Sequence, residues 1–316
     1  MGGNLLNGKR ISSSEHSTIQ SEVISSIKNN CYGISDLSSI VINTIPYIKE
    51  KQDHGDIDLI VSSVDFNKLK TVLSKHFVVK TTATDMFSIL YKGVQVDLIY
   101  IPERFVDYAT NYFSWSDLGN LIGRLARPLG FKHGHNGLRY LLMYNTTKIK
   151  EYCLSNNFED ILNILGLNTT VYKNGFDTYK EMFDFVISSP YFDKNLFLFE
   201  NLNNKNRVRD KKRKTYNMFL EYLDTIEINK IPKVLNEPQF NFVCRHFPTT
   251  YNLVMYDYTN HLEHIKTRSE IVSYLRETYN LEGKVLGNAI IKLKEIGLFK
   301  LPINKNGINI VIKHVT

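Results

Sequence analysis

Two acidic residues stand one position apart in the stretch "HGDIDLIV", residues 54–61. In a β-strand, side chains at positions i and i+2 point to the same face, about 6.5–7 Å apart along the strand. Asp56 and Asp58 therefore share one face, while the apolar residues that alternate with them point into a core. Two like charges at this distance repel each other unless a cation neutralises them.

A third acid follows in the stretch "GVQVDLIYI", residues 93–101, where Asp97 alternates with apolar residues that face away from it. If this strand lies beside that of Asp56 and Asp58, three carboxylates converge on one side of a sheet. Oxygen-only ligands of this kind suit Mg²⁺ or Mn²⁺. Two such ions can activate an attacking hydroxyl and stabilise a leaving pyrophosphate.

An alternative interpretation exists for the acidic pair, because a D-x-D sequence at the start of a strand is often only a turn or a sheet edge. Gly55 before the pair, the apolar strand after it and the later Asp97 favour the metal site. Gly55 also allows a backbone or a phosphate group to approach closely, since glycine has no side chain.

The surrounding pattern predicts a mixed sheet with helices packed on it. Residues 12–30 have the spacing of a helix, with Ser13 or Ser14 as its cap, and residues 65–77 have the spacing of a second helix. The stretch "FSILYKGVQVDLIYIP" predicts a β-hairpin that turns at Lys92-Gly93.

From about Trp115 onward the pattern changes to mainly helical, so the sequence predicts an α+β fold with a mixed sheet followed by helical modules. We expect three parts, residues 1–114, 115–225 and 226–316, with a proline-containing linker at the start of the last one. Thr267 and Glu270 have the spacing of a capping box. The end of the chain, "FKLPINKNGINIVIKHVT", predicts a terminal β-hairpin.

The motifs "HGDIDLIV" and "VQVDLIYIP" resemble those of the DNA polymerase β-like nucleotidyltransferases. The whole chain resembles a branch of that superfamily in phages and large viruses, related to tRNA nucleotidyltransferases and poly(A) polymerases. "MGG" at the start, "SDLGNLIGRLARPLGFKHGHNGL" and "NRVRDKKRKTY" also support the resemblance. It implies a palm-like catalytic core over residues 1–114.

By this resemblance, Asp56 and Asp58 bind both metal ions, and Asp97 binds the catalytic ion and takes up or orients the acceptor hydroxyl. The family holds the triphosphate with a Gly-Ser pair, which this chain replaces by "INTIPYIKEKQD". The residues expected to contact the nucleotide are Gly55, Thr44, Lys51, Asn120, Arg124 and Arg127.

The segment "RVRDKKRK", residues 207–214, holds six basic residues in eight. A basic helix start presents charge along an RNA backbone, so we expect RNA binding by Arg207, Arg209, Lys211, Lys212, Arg213 and Lys214. A localisation-type signal and a merely solvated helix face are the alternatives.

The composition is that of a globular protein, with 43% hydrophobic residues and a formal net charge of +7. The charge favours a polyanionic partner. Three scattered cysteines suit a reducing compartment, and neither a signal peptide nor a membrane span is expected. We therefore expect a cytoplasmic protein, in the host cytoplasm if it is viral.

Together these features predict a template-independent nucleotidyltransferase that uses Mg²⁺ or Mn²⁺ to transfer NMP from an NTP to an RNA 3′-hydroxyl, of tRNA or another RNA. Two alternatives stay open. One is nucleotidyl transfer to a protein or a small molecule. The other is a catalytically degenerate RNA-binding protein, which the replaced Gly-Ser pair motivates.

Overall fold

The strands and helices of the chain come from a computed structural model that describes residues 5–228 and 231–312. The strands, in chain order, are β1 (Ile11–Ser12), β2 (Val41–Thr44), β3 (Asp53–His54), β4 (Asp56–Ser62), β5 (Val78–Ala83), β6 (Met86–Tyr91), β7 (Val94–Tyr100), β8 (Phe131–Gly134), β9 (Gly137–Tyr144) and β10 (Thr147–Ser155).

The helices, in chain order, are α1 (Ser13–Cys31), α2 (Phe66–Leu73), α3 (Val106–Phe113), α4 (Leu118–Ala126), α5 (Phe158–Ile164), α6 (Thr169–Asn174), α7 (Tyr179–Ser188), α8 (Asn204–Asp210), α9 (Lys214–Thr225), α10 (Gln239–His246), α11 (Thr250–Tyr279), α12 (Gly283–Glu295) and α13 (Lys305–Ile312). The predicted α+β class, with sheets first and mostly helices afterwards, is confirmed.

A five-stranded sheet of order β2-β4-β7-β6-β5 forms the centre of the N-terminal region. Strands β4 and β7 pair in parallel, and the other neighbours pair antiparallel. The predicted hairpin is confirmed as β6–β7, with Lys92 (φ 50°) and Gly93 (φ 79°) both left-handed at its turn. Two left-handed residues match the right-handed twist of the flanking strands.

One face of this sheet is apolar and packs against α1 and α2. The buried side chains Val23 and Ile27 of α1 share a core with Leu59 of β4 and Val96 of β7. The cap of helix α1 is Ser12, one or two residues before the predicted Ser13 or Ser14, because Ser12 and Glu15 form a capping box there. The opposite face of the sheet is therefore left to the alternate residues of β4 and β7, among them the three acids.

A larger core joins helices α3 to α7, α9 and α10, and the apolar side of α4, with Leu121, Ile122 and Leu125, lies in it. The prediction that the chain is mainly helical beyond Trp115 missed the three-stranded sheet β10-β9-β8. Its strands do not alternate apolar and polar residues strictly, and the turn between β9 and β10 depends on the left-handed Asn145 (φ 52°).

The chain divides into two compact units. The first comprises residues 1–141 and 152–248, and the second comprises the hairpin tip 142–151 and residues 249–316. The finer division expected at residues 114 and 225 stays a prediction. None of the described helices is both long enough and apolar enough to cross a bilayer.

Two predictions for the second unit are wrong. Helix α11 is continuous over 30 residues, so Thr267 lies inside it and caps no helix start. The predicted terminal β-hairpin is helix α13, in which Ile308 and Ile312 are buried at helical spacing. Asn304 explains the difference, because its Oδ1 accepts from the backbone N–H of Gly307 at 3.0 Å and so caps a helix rather than a turn.

Candidate metal centre and nucleotide site

Three carboxylates meet on the polar face of the five-stranded sheet. The parallel register of β4 and β7 places Asp58 directly opposite Asp97, and Asp56 opposite Gln95. Ligand oxygens of Asp56, Asp58 and Asp97 lie within 4.8 Å of one another. The convergence expected from the alternation of residues along the two strands is therefore present.

The electrostatics of this cluster call for a cation. Burial, with a smaller contribution from the charge of Asp56, raises the pKa of Asp58 from its ordinary 3.8 to about 7. Burial also raises the pKa of Asp56, with a second contribution from Asp97. Among the described residues, Oδ2 of Asp56 is buried without a hydrogen-bond partner. An all-oxygen set with an unpartnered carboxylate oxygen fits Mg²⁺ or Mn²⁺.

Two further polar side chains flank Asp97, and neither is among the site residues predicted from the sequence. Gln95 is buried and donates from Nε2 to Oδ1 of Asp97 at 2.8 Å. Ser88 on β6 is fully buried opposite Asp97, and its Oγ has no hydrogen-bond partner in the described ranges 5–228 and 231–312. The signal for Gln95 was present, because a residue two positions from Asp97 on one strand shares its face.

The N-terminal segment lies against the start of β7. The backbone N–H of Leu6 donates to Oε1 of Gln95 at 3.0 Å, and that of Lys9 donates to the carbonyl of Gly93 at 2.7 Å. A Cβ at Gly8 would lie 2.8 Å from the backbone nitrogen of Gln95, so only glycine fits there. The "MGG" opening lies outside the described residues.

The residues expected to hold the triphosphate lie at the start of β4 and the end of β2. Gly55 is half-buried directly before β4. Thr44 is exposed opposite the core residue Leu59, which places it on the face of the sheet away from Asp58, whereas Asn43, opposite Ile60, is on the face of the acids. Lys51 is half-buried. Burial lowers the pKa of Lys51, while Asp56 and Asp58 oppose that shift, which places its ammonium group in their field.

A buried cluster of aromatic rings holds the residue before Gly55 in place. The ring of His54 lies 4.2 Å from that of His16 and 4.6 Å from that of Tyr47, between centroids. Ser13 Oγ hydrogen-bonds Nε2 of His54 at 3.1 Å. Burial, followed by the charge of Lys51, lowers the pKa of both histidines to about 4, so they are neutral at pH 7.

The structure brings four of the predicted basic and polar contacts together around one buried acid. Asp210 is fully buried and forms ion pairs with Arg124, Arg209 and Arg213. Asn120 accepts a 2.7 Å hydrogen bond from Arg209 Nη2, and Arg213 also pairs with Asp117. Within the described part of the chain, no hydrogen bond or ion pair joins this network to the three carboxylates.

This network joins helix α4 to α8 and α9, so it has a structural role whether or not it touches a ligand. The sequence predicts nucleotide binding by Asn120 and Arg124, and RNA binding by Arg209 and Arg213. Those roles stay predictions. The overlooked signal was Asp210 itself, the single acid inside the basic run.

The rest of the basic run is open to solvent. Lys211, Lys212 and Lys214 are exposed, and Arg207 is half-exposed. The run spans the end of α8 and the start of α9 instead of one helix start. Arg127, at the end of α4, is also exposed.

The function proposed for this chain rests on the geometry of the site. No protein-family model matches this chain, and no curated protein matches it with significant similarity.

Proposed function

We propose that this protein is a nucleotidyltransferase of the DNA polymerase β-like superfamily, which transfers NMP from an NTP to an RNA 3′-hydroxyl. One observation carries the proposal: the ligand oxygens of Asp56, Asp58 and Asp97 lie within 4.8 Å of one another on two adjacent parallel strands. Such a cluster is electrostatically unfavourable without a cation, and a bound cation is what phosphoryl chemistry requires.

Asp56, Asp58 and Asp97 are the residues that hold Mg²⁺ or Mn²⁺. When bound, the metal neutralises charge on the triphosphate and makes the acceptor hydroxyl more acidic. The acceptor oxygen forms a bond to the α-phosphorus, the bond from that phosphorus to the bridging oxygen breaks, and pyrophosphate leaves. Asp97 orients the acceptor hydroxyl and accepts its proton, with its carboxylate held in place by Gln95.

The nucleotide is held by residues at the edge of the same sheet. Lys51 supplies positive charge beside Asp56 and Asp58, and Gly55 leaves room for the phosphates. Asn43, which is opposite Ile60 and so on the same face as Asp58, takes the hydrogen-bonding role of the family's Gly-Ser pair, with Thr44 next to it in the chain. Arg127 offers an exposed guanidinium group. Asn120 and Arg124 contact the nucleotide from their positions in the network around Asp210.

RNA is the acceptor that the exposed basic residues favour. Arg207, Lys211, Lys212 and Lys214 give a short segment of high positive charge, which attracts a phosphate backbone. The three cysteines are free thiols, which agrees with a cytoplasmic location.

The test is label transfer from each of four α-³²P-labelled NTPs to total RNA, with Mg²⁺ or Mn²⁺ present. The wild-type chain should label RNA, and Asp56→Asn should abolish labelling. Asp85→Asn, which removes an exposed acid from the loop between β5 and β6, is the matched control and should retain labelling.

Two outcomes would replace the proposal. Label on a protein or a small molecule, without dependence on RNA, would indicate a different acceptor. Salt-sensitive RNA binding with no label transfer, unchanged in Asp56→Asn, would indicate a catalytically degenerate RNA-binding protein.

A further inference from the structure

The C-terminal unit contains two helices joined by a short turn. Helix α11 ends at Tyr279, and α12 begins at Gly283 after three residues, of which Asn280 is left-handed (φ 54°). Both helices pack with α13 around a core that includes Leu275. Two helices joined by such a turn are the arrangement of the helix-turn-helix, whose second helix binds a nucleic-acid groove.

Helix α12 has a sharply divided surface. Its buried side is formed by Leu286, Ala289, Ile290 and Leu293. Its opposite side, at the complementary helical positions, presents Lys284, Asn288, Ile291 and Glu295. Ile291 is 57% exposed, so this side is open to solvent within the part of the chain that the structure describes.

Gly287 lies at the edge of that exposed side, between it and the buried stripe, and is half-exposed. Glycine is less favourable than any residue except proline in a helix interior. Among the described residues, a Cβ at Gly287 would meet no neighbouring atom within 4 Å, so packing there does not require glycine. A glycine at the edge of an exposed helix face allows another surface to approach the backbone closely.

The charge of residues 283–312 indicates which kind of partner surface would bind α12. Residues 283–312 contain five lysines and one glutamate, and all five lysines are exposed. Helix α11, by contrast, has four acidic residues against three lysines and arginines. The positive charge of this unit is thus concentrated on α12 and the segment after it.

We propose that α12 is a recognition helix that enters the major groove of double-stranded DNA. The major groove of B-form DNA admits an α-helix, whereas that of A-form RNA is too narrow. Lys284 and Asn288 are donors and acceptors suited to base edges, and Ile291 suits a thymine methyl group. The flanking lysines attract the phosphates. This proposal does not rest on nucleotidyl transfer at Asp56, Asp58 and Asp97.

The test is fluorescence anisotropy of the full-length chain with a labelled DNA duplex of about 20 base pairs, roughly two helical turns. We expect binding that weakens as salt rises. Lys284→Ala with Lys292→Ala should weaken it about tenfold and lower the salt slope by about two. Lys28→Ala with Lys75→Ala, which removes two exposed lysines from the first unit, should leave binding unchanged.

Gly287→Gln separates binding from folding, because the larger residue favours the helix yet projects from its exposed side. We expect DNA affinity to fall about tenfold while the melting temperature is unchanged or higher. Asp56→Asn should bind DNA like the wild type, so failure of DNA binding and failure of nucleotidyl transfer are distinguishable.

Three results would overturn the proposal. They are absence of duplex binding, equal affinity for duplex RNA or single strands, and a Gly287→Gln variant that binds DNA normally. Loss of self-association in Gly287→Gln without any effect on DNA, measured by analytical ultracentrifugation, would assign this side of α12 to a protein contact instead.

Discussion

Gln95 and Asp97 lie on the same face of β7, and the side-chain amide of Gln95 donates to one carboxylate oxygen of Asp97 at 2.8 Å. Both side chains are buried, and Gln95 in turn accepts from the backbone of Leu6. The amide therefore fixes the orientation of Asp97 and occupies one of its two oxygens. The other oxygen remains available for a metal ion.

Removal of this amide should weaken metal binding more than it weakens the fold. Gln95→Leu leaves Asp97 without its donor and leaves the N–H of Leu6 without an acceptor, a loss of about 1–3 kcal/mol of stability. We expect affinity for Mn²⁺, measured by isothermal titration calorimetry, to fall about tenfold. Gln52→Leu, at an exposed glutamine, is the control. Unchanged Mn²⁺ affinity in Gln95→Leu would show that the amide does not orient Asp97.

Asp58 should destabilise the metal-free protein as pH rises. Its pKa is about 7 in the folded chain against an ordinary 3.8, so the folded state retains a proton that the unfolded state loses. Stability from this group is present below about pH 4 and is lost as pH rises toward 7. Asp58→Asn should therefore stabilise the chelator-treated protein at pH 8, by on the order of 2 kcal/mol.

Thermal unfolding of both proteins at pH 5 and pH 8 measures this effect. The stability difference between Asp58→Asn and wild type should be larger at pH 8. Mg²⁺ should raise the melting temperature of the wild type at pH 8 and have little effect on the variant. An equal difference at both pH values would contradict the electrostatic explanation.

His16 and His54 should have the opposite pH dependence from Asp58. They should lower the stability of the folded protein as pH falls. Their pKa values are about 4 in the folded chain against an ordinary 6.5, so the unfolded state takes up protons first as pH falls. Their contribution is complete above pH 6.5 and is lost as pH falls toward 4. His16→Phe should reduce this loss of stability, because no described residue hydrogen-bonds Nδ1 of His16. Urea unfolding at pH 7 and pH 5 tests it, with His76→Phe, an exposed site, as control.

The Asp210 network should contribute to stability rather than only to binding. Asp210→Asn leaves Arg124 and its neighbours with a buried, uncompensated charge, and loss of one partner of such a pair costs about 3–5 kcal/mol. We expect a large decrease in the free energy of unfolding. A decrease below about 1 kcal/mol would show that solvent or other groups stabilise these arginines.

The exposed lysines of the basic segment 207–214 should contribute to RNA binding and not to stability. Replacement of Lys211, Lys212 and Lys214 by alanine should leave the melting temperature unchanged, because their side chains are exposed. RNA affinity should fall, and the salt slope should decrease by about two for single-stranded RNA. A filter-binding titration at several salt concentrations measures both. Unchanged affinity would remove this segment from the RNA surface.

The acidic face was predictable from the sequence because its cause is local. A strand has a period of two, so the alternation around Asp58 and Asp97 fixes which side chains share a face. That the two strands are neighbours follows from long-range pairing, which the sequence pattern only suggests. The roles of Arg124 and Arg209 were harder to predict, because a basic residue has the same sequence signature whether it faces solvent or a buried acid. Only the fold places Asp210 between them.

The segment around Asn306-Gly307 is a second place where the local sequence alone does not determine the structure. The stretch around Asn306-Gly307 suits a hairpin by composition. Asn304 instead caps α13, and Ile308 and Ile312 reach the core at helical spacing. Local composition permits both structures, and tertiary packing decides between them.

The parallel pairing of β4 with β7 also has a consequence for the order of folding. Strands β5 and β6 and helix α2 lie between them in the chain, so Asp58 and Asp97 are distant in sequence although they are neighbours in the sheet. During synthesis, the first two acids stay hydrated until residue 100 has emerged and β7 can enter the sheet. Repulsion of Asp97 by Asp56 and Asp58 therefore arises only when β7 joins β4. The divalent cation proposed for this site would offset that repulsion and so stabilise the folded chain as well as serve the reaction.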